Sequence, residues 1–150
     1  MGLSERLRKD LETALRAAEG ERVQTIRMLL ANLHDREIEE RGKSGAPRPL
    51  PDDVAEGVLR KELKKRKEAS DLYRKGGRVD LAEKEEREAA LIGAYLPPSA
   101  SREEIEAVVW ELKAAGVADL PALIRETKAR FHGRAEGGAV AEIVRHVLGG

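Results

Sequence analysis

The chain is 150 residues long, with 41% hydrophobic, 37% charged and only 3% aromatic residues, and its 28 basic side chains balance its 28 acidic ones. That length bounds the architecture to one ordinary domain or two small helical subdomains, and a core must come from Leu, Ile, Val and Ala, which favours helices packed on helices. Zero net charge excludes a polyanion binder that is basic throughout. The absence of cysteine excludes disulfides, thiolate zinc sites and Cys nucleophiles.

The start, Met1-Gly2-Leu3-Ser4-Glu5-Arg6, turns polar at once, and no secretory signal is read there. No apolar run approaches the ~20 residues of a membrane span. A cytoplasmic protein is therefore expected.

The first helix is expected from an N-cap at Ser4. Leu3, Leu7, Leu11 and Leu15 form one apolar stripe, which Gly20 breaks. The second helix carries Val23, Ile26, Leu30 and Leu33 on one face, with Ile38 on a neighbouring row, and is expected to run out near Arg41. Gly42 to Pro51, rich in Gly and Pro, reads as a mobile loop. Asp52 is placed as the cap of a third helix ending near Lys75, where Gly76-Gly77 stops it. Asp80-Leu81-Ala82-Glu83 resembles a capping box opening a fourth helix, and Pro97-Pro98 ends that helix after Tyr95-Leu96.

Beyond the double proline, Ser101-Arg102-Glu103-Glu104 fits a capping box for a fifth helix with Ile105, Val108, Val109 and Leu112 on one face. Asp119 caps a sixth helix, with Pro121 tolerated in its first turn. Gly133 ends it, Gly137-Gly138 is read as a turn, and a seventh helix carries Val140, Ile143, Val144, Val147 and Leu148. The domain expectation is an N-terminal helical subdomain over 1–96 and a three-helix bundle over 97–150.

The sequence contains no recognisable catalytic constellation. His34, His132 and His146 lie on different elements, and none has the i, i+4 partner of a helical metal site. Gly42-Lys43-Ser44 lacks the glycine a phosphate loop needs five positions earlier, where Glu37 stands. No catalytic residue, metal ligand or cofactor is assigned. No enzyme is expected.

The third helix is the informative segment. Arg60, Lys61, Lys64, Lys65, Arg66, Lys67, Arg74, Lys75 and Arg78 crowd it, against only Glu62, Glu68 and Asp71. At helical spacing Arg60, Lys64, Lys67, Arg74 and Arg78 share a face, which could follow a phosphate backbone. The competing reading is a helical hairpin, in which Asp80, Glu83, Glu85, Glu86 and Glu88 of the fourth helix neutralise the basic one. With Tyr73 alone in the stripe, recognition by base stacking is not expected there.

Several ordered segments resemble the GatB/YqeY family. They are Arg22-Val23-Gln24-Thr25-Ile26-Arg27-Met28-Leu29, Glu62-Leu63-Lys64-Lys65-Arg66-Lys67-Glu68, Gly77 to Glu85, Tyr95-Leu96-Pro97 and Gly133-Arg134-Ala135-Glu136-Gly137. The resemblance implies an all-α, two-part multihelical fold, with a four-helix N-terminal part and a three-helix C-terminal bundle. It implies kinship with the tail of the GatB polypeptide of the tRNA-dependent Asn/Gln amidotransferase, which helps engage tRNA while another domain does the chemistry. A carbon–nitrogen ligase label could follow the family name without catalytic residues to support it. The chain departs from the family after Asp119, where Pro121-Ala122-Leu123-Ile124 stands in place of a Gly-Lys-Val-Met turn.

The functional expectation is a non-catalytic module binding tRNA or other RNA. Its candidate contacts are Arg60, Lys64, Lys65, Lys67, Arg74, Arg78 and Arg134. The alternative is a protein-interaction adaptor, or an amidotransferase-associated accessory without RNA contact. No membrane partner is expected, and a monomer is favoured.

Overall fold

A computed structural model describes residues 2–44 and 49–149. Seven α-helices run through the described residues, and no strand occurs among them. They are α1 (Leu3–Arg16), α2 (Gly20–Ser44), α3 (Asp52–Lys75), α4 (Val79–Gly93), α5 (Arg102–Ala114), α6 (Leu120–Arg130) and α7 (Gly137–Gly149). The chain divides into two compact units, residues 1–96 and 97–150.

In the first unit the apolar stripes meet as one core. Leu3 and Leu7 of α1, Ile26, Leu29 and Leu33 of α2, Leu59 of α3 and Ile92 of α4 are all buried. Each such side chain stabilises the fold by about 2 kcal/mol through removal from water. The stripes also run out where the core does: Leu15 and Ile38, both apolar in pattern, are about half exposed.

Three expected N-caps are corrected. Helix α1 begins at Leu3 with Gly2 as cap, so Ser4 lies inside the first turn. Leu3 is buried in the core, and that packing draws it into the helix. Asp52 is the first residue of α3, after Pro51. Asp80 follows Val79 inside α4, with Arg78 before it. None of these three ends has a side-chain cap hydrogen bond. Asp52 and Asp80 still sit in first turns, where a carboxylate complements the positive end of the helix.

Helix α2 runs to Ser44, past the expected end at Arg41. Arg36 pairs with Glu39 and Glu40, and Lys43 with Glu40, along this polar extension. Such pairs one turn apart carry a helix beyond its packed part. The expected loop therefore loses Gly42–Ser44 to the helix, and residues 45–48 of it lie outside the described residues. Helix α4 ends at Gly93, and Tyr95 and Leu96 form a turn after it.

The glycine stop between α3 and α4 is real. Gly77 has φ +75°, and the Arg78 N–H reaches back to the Tyr73 carbonyl at 2.8 Å, closing the end of α3. This tight turn folds α4 back along α3.

The second unit has its own core of Ile105, Val109, Leu112, Leu123, Phe131, Val140, Ile143 and Val144. Its N-caps fall at the expected residues, while the Glu104 carboxylate accepts from Arg134 rather than closing the capping box. The Ser101 side chain accepts from the Glu104 N–H at 3.1 Å, and Asp119 accepts from the Ala122 N–H at 3.1 Å. Gly137 and Gly138, read as a turn, instead open α7.

Candidate nucleic-acid interface

The basic run is sorted by what α4 offers it. Arg74 grips Glu86 with two bonds, Nε to Oε1 at 2.6 Å and Nη2 to Oε2 at 2.7 Å, while Ser70 Oγ donates to Oε1 at 2.9 Å. These contacts hold the Glu86 carboxyl down at about 2, chiefly through Arg74 and then Ser70.

Arg66, which the sequence reading did not single out, is the hub. It lies within 3.4 Å of Glu62 in its own helix and within 3.5 Å of both Glu85 and Glu88 in α4. Its Nη2 also reaches the Met28 sulfur of α2 at 2.6 Å. One guanidinium thus meets three helices. Burial and the Glu85 charge push Glu88 above the usual carboxylate range in spite of Arg66.

The seven candidate contacts fall into distinct groups. Arg60 is half-buried and 3.8 Å from Glu56. Lys65 pairs with Glu62 at 3.2 Å. Arg78 lies outside α3, before α4, with Nε 3.9 Å from Asp80. Arg134 belongs to the second unit, where Nε donates to the Pro98 carbonyl at 2.9 Å and Nη2 to Glu104 at 3.1 Å. Lys64 and Lys67 remain exposed, with no carboxylate partner among the described residues. Lys61 and Lys75, absent from the candidate set, are exposed and equally unpaired. Their signal was in the sequence, but only the hairpin pairing tells free cations from neutralised ones.

A second cluster fixes the end of α4. The buried Tyr95 hydroxyl donates to Asp10 of α1, and the Arg6 guanidinium lies 5.4 Å over its ring. Burial and then Asp10 push this phenol up to about 12, against the opposing pull of Arg22.

A family model described as Yqey-like protein matches residues 4–148. The chain belongs to the YqeY-like family. Among its relatives is "Altered inheritance of mitochondria protein 41, mitochondrial" of Eremothecium gossypii, 37% identical over 77% of this chain and 64% of that protein. The protein of the same name from Lachancea thermotolerans is 36% identical over 71% of this chain and 55% of its own length. An uncharacterized protein of Schizosaccharomyces pombe is 37% identical over 63% of this chain and 72% of its own length. The chain thus spans somewhat more than half of the two mitochondrial relatives.

Those names overturn the expectation of a cytoplasmic protein. It rested on the want of a secretory signal and of a long apolar run, and neither feature bears on import into an organelle. No helix among the described residues is long and apolar enough to cross a membrane.

The segments that resemble the YqeY-like family lie largely at positions that hold the fold. Arg22 bonds Glu19, Ile26 and Leu29 are core, and Met28 meets Arg66. Tyr95 anchors α1, and Arg134 ties the start of the second unit to the residues after α6.

Proposed function

We propose that this member of the YqeY-like family is a non-catalytic RNA-binding module, with tRNA as its most natural partner, that meets the phosphate backbone with the unpaired lysines of α3. One observation carries the reading. After Arg66 and Arg74 are neutralised across the hairpin, Lys61, Lys64, Lys67 and Lys75 are still exposed and without carboxylates among the described residues. Cations held on a rigid helix release condensed counterions from a polynucleotide. The kinship with the amidotransferase tail, implied by the segments named above, supports RNA over other polyanions. In the same reading the chain is a four-helix part, 1–96, followed by a three-helix bundle, 97–150.

The test is titration of bulk tRNA at several salt concentrations with the wild type and with Lys61→Glu/Lys64→Glu/Lys67→Glu. None of the three is ion-paired among the described residues, so the fold should survive. The wild type is expected to bind more weakly as salt rises, and the triple variant to lose at least about tenfold in affinity with a shallower slope. Unchanged binding by the triple variant would remove these lysines from the site.

The adaptor reading has one observation in its favour. Leu72 at the end of α3 is 69% exposed and Val79 across the turn 48%. Apolar docking there would be insensitive to salt, which separates it from RNA binding in the same titration.

A further inference from the structure

Between the C-terminal half of α2 and the N-terminal half of α3 lies an open groove of about 670 Å³. Its polar lining includes Asn32 and Asp35, one turn apart on α2, and Lys61 on α3. None of these three side chains has a partner among the described residues. Arg36, also in the lining, is held by Glu39 at 3.5 Å and Glu40 at 2.9 Å, while its buried Nε has no acceptor among the described residues.

Gly57 lines the same groove in the body of α3, where a β-carbon would meet nothing within 4 Å. Glycine weakens a helix interior, and neither packing nor a special backbone angle calls for it at this position. It leaves the wall of the groove open beside the apolar side chain of Val58.

We propose that this groove takes an unpaired guanine of the RNA bound along α3, with Asp35 and Asn32 reading the base and Lys61 holding an adjoining phosphate. The inference rests on the RNA-binding reading above and names what that RNA must present. Guanine offers two neighbouring donors, N1–H and the N2 amine, to the two oxygens of one carboxylate. Its O6 accepts from an amide such as that of Asn32. The fixed guanidinium of Arg36 and the side chain of Val58 supply planar and apolar surface for a base, in a groove with no aromatic side chain in its lining. Lys61 belongs to both the groove and the free lysine row, so base and backbone contacts are continuous.

The experiment compares two labelled uridine-tract RNAs, one carrying a central guanosine and the other a central adenosine, at one low salt concentration. The wild type is expected to bind the guanosine probe about tenfold more tightly. Asp35→Asn, which takes away the paired acceptors, and Gly57→Leu, which fills the groove while improving the helix, are each expected to abolish that preference and leave the adenosine probe bound as before. Melting curves check that both variants fold. Equal binding of the two probes by the wild type, or a preference that survives both variants, overturns the guanine site and leaves the lysine row standing. Should neither RNA bind, the RNA reading fails, and calorimetry with free guanosine 5′-monophosphate decides the groove alone. Binding that Asp35→Asn abolishes retains a guanine site, and no binding eliminates it.

Discussion

Arg74 and Glu86 face each other across the α3–α4 hairpin as a fork on a fork, with both nitrogen–oxygen distances below 2.8 Å. The contact fixes which residues of the two helices lie opposite one another, and it takes Arg74 out of the set of cations open to a polyanion. The same arginine therefore belongs to the fold first.

Glu86 is held down to about 2 by Arg74 and Ser70. A depressed carboxyl contributes stability above its unfolded value, near 4.5, and loses it as pH falls through the folded value. Glu86→Gln should accordingly melt below the wild type at neutral pH. The gap should narrow as pH falls below about 4.5 and close near pH 2. A gap of constant size from neutral to acid pH would show that the charge of Glu86 is not what the hairpin uses. The swapped pair Arg74→Glu/Glu86→Arg should recover part of the loss seen in either single reversal.

Tyr95 gives a test at the other end of the pH scale. Its hydroxyl bonds Asp10, and Tyr95→Phe leaves that carboxylate without its donor, at a cost of about 2 kcal/mol. The phenol rises from 10 to about 12 in the folded protein, so the contribution is whole below pH 10 and disappears between pH 10 and 12. Chemical denaturation of the two proteins at neutral pH and across that alkaline window measures both effects. Equal stabilities at neutral pH would eliminate the bond as a support of α4.

Ala18 closes α1 with φ +56°, a left-handed conformation that a side chain resists. Its N–H bonds the Leu15 carbonyl at 3.2 Å, and the next N–H, of Glu19, returns to Ala14 at 3.0 Å. Glycine is the residue this closure favours, and Ala18→Gly should stabilise the protein by about 1 kcal/mol. Gly77→Ala, at φ +75° in the equivalent position after α3, should destabilise by about the same amount. Opposite shifts in melting temperature are the expected pair of results, and shifts of the same sign would refute the argument.

Punctuation made much of this fold legible. Gly76-Gly77 stops α3 at the residues expected, and Ser101 and Asp119 cap where short polar side chains meet apolar periodicity. Legibility failed where tertiary packing or distant partners decide. Leu3 enters α1 because the core needs it, and α2 outlasts its apolar stripe on ion pairs alone. The site was legible as a basic helix and no further. Whether a given cation is open depends on which face of α4 lies opposite, and that register is set in three dimensions. The groove beside Gly57 had no signature at all, since its lining comes from two helices and its residues are ordinary ones.

Arg66 carries the sharpest stability prediction. Its side chain is 23% exposed, and the three carboxylates around it, Glu62, Glu85 and Glu88, are 11%, 14% and 15% exposed. Arg66→Met keeps much of the packing against Met28 but leaves these acids largely buried with no guanidinium, a loss of about 3 kcal/mol at neutral pH. Glu88 can escape the penalty by taking up a proton, so part of the deficit should disappear in acid. Glu88 already shows the direction: burial and Glu85 raise it even with Arg66 present, so its charged form is the disfavoured one in the fold. A group raised in this way favours the fold while protonated and loses that contribution as pH climbs through its folded value. Glu88→Gln should therefore raise the melting temperature at neutral pH and make no difference once Glu88 is protonated in acid. In the Arg66→Met background, adding Glu88→Gln should recover more than it gains alone, because the charge it removes has lost its partner. If Glu88→Gln instead destabilises at neutral pH, the Arg66–Glu88 contact outweighs burial, and the hub is a net support rather than a specificity device for aligning three helices.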